Sequence, residues 1–153
     1  RHDLLGYNCR LDTLQACVLL TKLNHIEAWT QKRRLVAEWY REDLADADLL
    51  LPQQHANMRH VYHLFVVRSA RRDELMQFLA SRNIHCGIHY PHPLTSAQPF
   101  LDSPTLPLSV PTCHEVAREI LSLPMCPELS RDQVKRVTDS ILEFERARTH
   151  ATA

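Results

Sequence analysis

The chain has 153 residues, of which 44% are hydrophobic and 24% charged, and this length and composition are typical of one globular domain. Its 18 Lys and Arg residues balance its 18 Asp and Glu residues, which excludes the strongly basic surface typical of a nucleic-acid-binding domain. The two glycines, Gly6 and Gly87, lie too far apart for a P-loop and are too few for a GxGxxG fingerprint. The longest apolar run, residues 16–20, is too short to cross a bilayer.

Helical periodicity dominates the first third of the chain. Residues 11–23 form a predicted helix with Asp12 as its N-cap and Gln15 placed as in a capping box. Its apolar surface is wider than one stripe, so we expect it to be covered on more than one side. A long amphipathic helix follows from Ile26 to Leu44 and carries a solvated, charged face.

The pattern changes to short strands in the middle of the chain. Residues 61–67 are β-branched and aromatic and predict a strand, in which alternation places one of His60 and His63 outward and the other inward. A helix is predicted over residues 73–82 and a second strand over 83–88.

A long loop separates these elements from the C-terminal part. Residues 89–111 contain six prolines and no periodicity, and a loop of this length is usually functional or disordered. A short helix at 115–121 and a third strand at 121–124 follow. Ser130 caps the last helix, and Gln133 completes a capping box. The predicted fold class is α+β, with two helices followed by a small three-stranded antiparallel sheet backed by helices.

Five cysteines are spread along the chain: Cys9, Cys17, Cys86, Cys113 and Cys126. The odd number and the lack of a secretory segment predict reduced thiols in a cytoplasmic protein. Cys86, His89 and His92 are spaced three apart, but a zinc site needs a fourth ligand. Because Pro91 and Pro93 also break any helix that would align these side chains, we predict no metal site.

Three segments together resemble one enzyme family. Residues 6–16 read GYNCRLDTLQA and resemble the G-x-N-x-R-x-D…Q-A segment of the sugar aminotransferases named for DegT, DnrJ and StrS. Residues 89–94 read HYPHPL and resemble the family's H-Y-P-x-P-L loop. Residues 121–129 read LSLPMCPEL and resemble its L-S-L-P-M-x-P-x-L segment. The order and spacing of the three motifs agree over nearly the whole chain.

The resemblance implies the C-terminal part of a fold-type-I, pyridoxal-phosphate-dependent homodimer. Such an enzyme transfers an amino group, usually from glutamate, to a nucleotide-linked keto sugar in polysaccharide or secondary-metabolite biosynthesis; dehydration occurs in some relatives and stays open here. Residues 1–48 are then the end of the large domain with connecting helices, 49–146 the small C-terminal domain and 147–153 a tail. The start at Arg1, without Met, also indicates a piece of a longer chain.

The Schiff-base lysine of the family has no counterpart here. Lys22, Lys32 and Lys135 are the three lysines, and each falls among polar neighbours in a predicted helix. A lysine that forms a Schiff base needs a partly desolvated site. We therefore predict no catalytic residue in this chain, which we expect to be inactive by itself.

The first motif supplies two candidate binding residues. Asn8 matches the family asparagine that reaches the cofactor phosphate of the partner subunit, and the alternative is a turn residue beside Gly6. Arg10 matches the family arginine of the same segment and suits a phosphate or the sugar nucleotide. Its alternative role is a salt bridge to Asp12 or Asp3.

The second motif predicts that His89 and Tyr90 contact the substrate. Both follow a predicted strand, and imidazole or phenol groups bind sugar hydroxyls and diphosphates. The alternative is packing that stiffens the proline-rich loop. Thr95 stands where the family often has histidine, and this departure weakens the case for a substrate contact at that position.

Two rival functions remain. A stand-alone module could bind a small ligand without chemistry, but the wide apolar surface of the helix from Leu11 to Ile26 argues against a self-contained domain. A regulatory fragment that pairs with a separate N-terminal half is the other alternative. Neither nucleic acid nor a membrane is a predicted partner.

Overall fold

The computed structural model describes residues 10–97 and 110–151, and residues 148–151 are described by their backbone alone. The chain divides into two compact units, which we name the split unit (Arg1–Ile26 with Tyr90–Arg118) and the sheet unit (Glu27–His89 with Glu119–Ala153). The helices are α1 (Thr13–Leu23), α2 (Ile26–Asp43), α3 (Arg72–Ser81), α4 (Pro111–Glu119) and α5 (Arg131–Ala151), and the strands are β1 (Phe65–Arg68) and β2 (Ile120–Leu123). A 3₁₀ turn spans Leu94–Ser96.

Within the described residues the sheet has two strands, and the predicted three-stranded sheet is not confirmed. β1 and β2 pair antiparallel, with Phe65 opposite Leu123 and Arg68 opposite Ile120. The predicted strand at 83–88 makes one isolated bridge, from Gly87 to Ser122. Asn83 has a φ of 59°, a left-handed conformation that is incompatible with a continuous strand from residue 83. The α+β class is confirmed in its coarse form, as helices with a small antiparallel sheet.

A second left-handed residue shortens the first predicted strand. Tyr62 has a φ of 46° and donates its backbone N–H to His60 Nδ1 at 2.9 Å, so the extended chain starts only at Phe65. Side-chain alternation fails across this kink, and His60 and His63 are both exposed. The prediction that one of these histidines faces inward is wrong for this reason.

Helices cover the sheet and complete the core of the sheet unit. Tyr40 of α2 is fully buried, stacks on Phe65 at a centroid distance of 4.9 Å and donates its hydroxyl to the Pro124 carbonyl at 2.8 Å. Val134 and Ile141 of α5 are equally buried. Apolar burial of this kind is the main stabilising contribution in a domain of this size.

A charged cluster joins the end of α2 to the start of α5. Arg131 donates two hydrogen bonds to the Asp43 carboxylate, at 2.6 and 2.5 Å, and Thr138 donates a third at 2.9 Å. These contacts hold the pKa of Asp43 below its ordinary value, because donors from Arg131 and Thr138 favour the ionised carboxylate. The cluster thereby fixes both helices around one carboxylate.

The predicted helix caps are present. Ser130 Oγ accepts from the Gln133 N–H at 3.3 Å while Gln133 Oε1 accepts from the Ser130 N–H at 2.9 Å, which is the full capping box. Asp12 Oδ1 accepts from the Gln15 N–H at 3.0 Å at the start of α1. The predicted helix at 115–121 begins earlier, with Pro111 in its first turn, where proline is well tolerated.

The split unit contains α1, none of whose residues is buried. Its exposed apolar side chains include Leu14, at 80%, and Leu20, at 65%. The expectation that this wide apolar surface is covered is therefore not met within the described residues.

None of the helices in the described ranges is long and apolar enough to cross a membrane.

Candidate functional site

The best-defined part of the candidate site lies where the chain leaves Gly87 and runs past β2. Gly87 and Ser122 exchange two backbone hydrogen bonds, of 3.1 and 2.7 Å. Two residues later, His89 Nδ1 lies 2.9 Å from Ser122 Oγ. Ser122 is 4% exposed, whereas His89 is an exposed residue. A buried hydroxyl thus holds an accessible imidazole at the edge of the sheet unit.

Gly87 makes room for that imidazole. A Cβ added to Gly87 would lie 2.7 Å from His89 Cε1, closer than real contacts of this kind. The His89 ring therefore packs directly against the backbone of residue 87. Here glycine is needed for close approach rather than for a left-handed backbone.

Tyr90 and Arg10 are both accessible in the split unit. Tyr90 is 73% exposed, and Arg10 is an exposed residue just before the Asp12 cap. Among the ion pairs of the described residues, none joins Arg10 to Asp12, whose carboxylate caps α1 instead. His89 belongs to the sheet unit, so the predicted binding residues are divided between the two units. The predicted phosphate ligand Asn8 lies outside the described residues.

Ser122 was not among the residues singled out from the sequence. The signal was present, because Ser122 is a polar residue between Leu121 and Leu123, all three buried. A buried hydroxyl in such a run needs a hydrogen-bond partner. The sequence does not indicate which residue is that partner, because His89 lies 33 positions away from Ser122.

The three lysines are all exposed. Lys22 lies on α1 and Lys32 on α2, both on exposed positions. Lys135 donates to Asp139 Oδ1 at 3.0 Å on the surface of α5. These are ordinary helix-surface positions, unlike the desolvated pocket that a Schiff-base lysine requires.

Cys86 is the thiol nearest to the site along the chain. Burial raises its pKa to about 11, so the thiol stays protonated at neutral pH. A protonated, half-buried thiol is a poor nucleophile and a poor metal ligand. Within residues 10–97 and 110–151, no group of three or more His, Cys, Asp or Glu side chains is arranged to hold a metal ion.

A family model described as the DegT/DnrJ/EryC1/StrS aminotransferase family matches residues 1–142. The "Pleiotropic regulatory protein" of Geobacillus stearothermophilus is 38% identical over 148 residues, which cover 95% of this chain and 40% of that protein. The dTDP-3-amino-3,4,6-trideoxy-α-D-glucose transaminase of Streptomyces venezuelae is 38% identical over 144 residues, with 94% of this chain and 38% of that protein covered. The chain thus spans about two fifths of the length of the curated relatives it matches.

A solved structure supports the same relationship in three dimensions. The S. venezuelae protein DesV, in complex with a ketimine intermediate, superposes with a TM-score of 0.82 at 37% sequence identity. The match covers 94% of this chain and 39% of that one.

Proposed function

The chain belongs to the DegT/DnrJ/EryC1/StrS aminotransferase family, and on this premise we propose that it is the C-terminal portion of a pyridoxal-phosphate-dependent nucleotide-sugar aminotransferase. The observation that carries the proposal is the match over residues 1–142, supported by 38% identity to a transaminase of a dTDP-linked sugar. Amino transfer to a keto sugar is then the activity of the full-length protein, of which this chain is one part.

We propose that residues 1–48 are the end of the large domain with connecting helices, that residues 49–146 are the small domain and that residues 147–153 are a tail. The packing of α3 and α5 with β1 and β2 in one compact unit supports the core of a small domain. The same unit also includes the connecting helix α2, and residues 90–118 belong to the other unit. The full-length enzyme is proposed to be a cytoplasmic homodimer. The four cysteines of the described residues are free, which is the state expected in a reducing compartment.

Pyridoxal phosphate, when bound, supplies the electron sink and the carrier of the amino group. The three lysines of this chain do not fit covalent attachment, because each lies on an exposed helix surface. The Schiff-base lysine is therefore proposed to lie outside this chain. Asn8 is proposed to donate its amide to the cofactor phosphate of the partner subunit.

The remaining candidate residues are assigned to the nucleotide-linked sugar. Arg10 offers a planar guanidinium for a phosphate, while Tyr90 and His89 offer a hydroxyl and a ring nitrogen for sugar or diphosphate oxygens. The exposure of Arg10 and Tyr90 leaves both side chains accessible to a ligand. In this role the chain binds and orients the substrate, and the chemical step uses groups supplied elsewhere.

The direct test is amino transfer by the full-length protein that contains these residues. We would incubate it with pyridoxal phosphate, glutamate and dTDP-linked or UDP-linked keto sugars, and identify nucleotide-linked amino sugars by mass spectrometry. Glutamate-dependent amination of one of these sugars is expected. Full cofactor binding without amination of any sugar in the panel would contradict the proposed activity.

A second test uses the 153-residue chain alone. After incubation with pyridoxal phosphate and borohydride reduction, the intact mass should show no stoichiometric adduct on Lys22, Lys32 or Lys135, since exposed lysines lack the desolvated, phosphate-binding surroundings of a Schiff-base site. The full-length S. venezuelae transaminase is a suitable positive control. One equivalent of adduct on a single lysine of this chain would contradict the assignment.

A non-catalytic role is the alternative. The relative from G. stearothermophilus carries the name of a regulatory protein, which is the observation that favours a regulatory or small-ligand-binding fragment paired with a separate N-terminal half. Such a fragment predicts nucleotide-sugar binding without amino transfer. The amination assay, repeated with the two halves mixed, separates the two functions.

A further inference from the structure

The turn at Tyr62 is a strained point of the sheet unit. Tyr62 has a φ of 46°, in the left-handed region that is unfavourable for a residue with a bulky side chain. Its side chain is 1% exposed, so packing in the core holds the residue in place on one side. A backbone in this region persists only where its surroundings fix it, and such residues are frequent in switch regions. The contacts made by the Tyr62 backbone therefore decide how firmly the turn is closed.

His60 supplies the acceptor for the Tyr62 amide. The Tyr62 N–H donates to His60 Nδ1 at 2.9 Å, and the two rings pack with their centroids 4.2 Å apart. A backbone N–H can only donate, so Nδ1 must present a lone pair, and the neutral ring carries its proton on Nε2. The direction of this hydrogen bond is therefore fixed by the backbone donor. A protonated imidazole has an N–H on both nitrogens and cannot make it.

The carbonyl side of His60 is tied to α2. Arg34 donates to the His60 carbonyl at 2.9 Å and to Gln54 Oε1 at 3.3 Å, while Gln54 donates its amide to the Met58 carbonyl at 2.7 Å. Segment 54–62 is thus attached to α2 through one guanidinium and is closed at its end by the imidazole. Of these contacts, the one made by His60 Nδ1 depends on a group that changes charge near neutral pH.

The surroundings of the turn carry more positive than negative charge. The charged groups in contact with the turn or next to it in the chain are Arg34, Arg41 and Glu27 of α2 and Arg59 of the segment itself. The Arg41 guanidinium carbon lies 5.5 Å from the centroid of the Tyr62 ring, and Arg59 pairs with Glu27. Within the described residues, the exposed histidines His55 and His63 make no hydrogen bond to this turn through their side chains. A proton added to His60 therefore brings a positive charge close to three arginines.

We propose that His60 is a pH-sensitive switch: the neutral imidazole closes the left-handed turn at Tyr62, and protonation opens it while the core of the sheet unit stays folded. The closed turn uses the neutral ring alone, so its stabilisation is present at alkaline pH. That stabilisation is lost as the pH falls through the range in which imidazoles titrate, about pH 8 to 5. The inference concerns the conformation of this chain and does not depend on the proposed function.

The test is amide hydrogen exchange in the 153-residue chain, because with ten histidines an overall stability would not isolate one of them. The protection factor of the Tyr62 amide, which corrects for the intrinsic pH dependence of exchange, should fall about two- to tenfold between about pH 8 and pH 5. The Leu50 amide of the same unit donates to the Arg68 carbonyl at 3.0 Å and should keep its protection factor. A pH-independent protection factor for Tyr62, or an equal fall for Leu50, would overturn the proposal.

His60→Asn exchanges the titratable acceptor for one that does not titrate. An Asn side-chain carbonyl accepts from the backbone N–H two residues further along, as in an Asx turn. The protection factor of Tyr62 should then be the same at both ends of the pH range, whatever its absolute value. His60→Ala has no acceptor and should give low protection throughout, and if it does not fold, the comparison of His60→Asn with the unmodified chain decides. A pH dependence retained in His60→Asn would assign the effect to another group and overturn the switch.

His63→Asn is the matched control. His63 lies on the same segment and is exposed like His60, but the acceptor of the Tyr62 amide is His60 Nδ1. The chemical change is identical, so the protection factor of Tyr62 should keep its full pH dependence. If His63→Asn abolished the pH dependence as His60→Asn does, the role given to the His60 imidazole would be wrong.

The protonation state of the ring gives an independent readout. At alkaline pH, the ring ¹⁵N shifts of His60 should report a proton on Nε2 and a hydrogen-bonded acceptor at Nδ1. On acidification, the Tyr62 amide should lose protection over the same pH range in which the His60 ring becomes protonated. A proton found on Nδ1 of the neutral ring, or opening of the turn at a pH where the ring does not titrate, would overturn the proposal.

Discussion

Helices α1 and α5 start from similar capping sequences and end in opposite environments. α1 has seven apolar residues among 11, whereas α5 has seven among 21. Yet α1 has no buried residue, while Val134, Val137 and Ile141 of α5 lie in the core. The comparison teaches that an apolar helix surface requires another surface to cover it, and that the tertiary structure determines whether such a surface packs against it.

The largest contrast is expected from truncating one apolar side chain in each helix. Ile141→Ala should lower the free energy of unfolding of the 153-residue chain by about 2–5 kcal/mol, because a fully buried side chain leaves a cavity. Leu14→Ala should change it by less than about 0.5 kcal/mol, since Leu14 is 80% exposed. Urea denaturation of both variants checks the comparison. A large loss for Leu14→Ala would mean that α1 is covered in solution.

The charged cluster of α5 should give an intermediate effect with a defined pH dependence. Asp43→Asn should cost about 1–2 kcal/mol, since it weakens charge-assisted hydrogen bonds from Arg131 that are partly exposed to solvent. The pKa of Asp43 is lowered in the folded state, so its stabilisation is present above the unfolded pKa and is lost as pH falls through the folded pKa. Unfolding free energies measured from neutral pH to below pH 3.8, the reference pKa, should fall less steeply in the variant. An unchanged slope would show that Asp43 does not contribute to acid sensitivity.

The smallest contrast concerns the two helix caps. Ser130→Ala should lower the free energy of unfolding by about 1 kcal/mol, because the capping box supports a helix that is packed in the core. Asp12→Ala removes the equivalent acceptor from α1, and should reduce helical circular dichroism while leaving the main unfolding transition in place. Equal destabilisation by the two substitutions would contradict the separation of α1 from the cooperative core.

The elements that could be predicted from the sequence are those with local causes. The helix bounds of α2, the Ser130 capping box and the strand at β2 follow from periodicity and capping chemistry within a few residues. The continuous strand predicted at 83–88 is not confirmed and the inward-facing histidine is wrong, because Asn83 and Tyr62 adopt left-handed backbones that no local pattern indicates. Their conformations depend on contacts made elsewhere in the fold.

The residues of the candidate site show the same difference between features with a local cause and features that depend on distant contacts. The family motif identified His89 and Tyr90, since the motif residues are contiguous. It did not identify Ser122, which meets His89 only when Gly87 bridges to β2. The motif thus indicates the candidate binding residues, whereas the contact between His89 and Ser122 is visible only in the fold.

The pairing of β1 with β2 has a consequence for the order of folding. The paired strands, such as Phe65 with Leu123, are separated by more than 50 positions, and the segment between them includes Tyr90–Arg118 of the split unit. The sheet therefore forms only after that segment has been synthesised. Pairing the two strands carries the entropic cost of closing a long loop. Because this entropy grows slowly with length, doubling the segment would cost only about 0.6 kcal/mol. Lengthening the segment between β1 and β2 should thus slow folding more than it destabilises the folded chain.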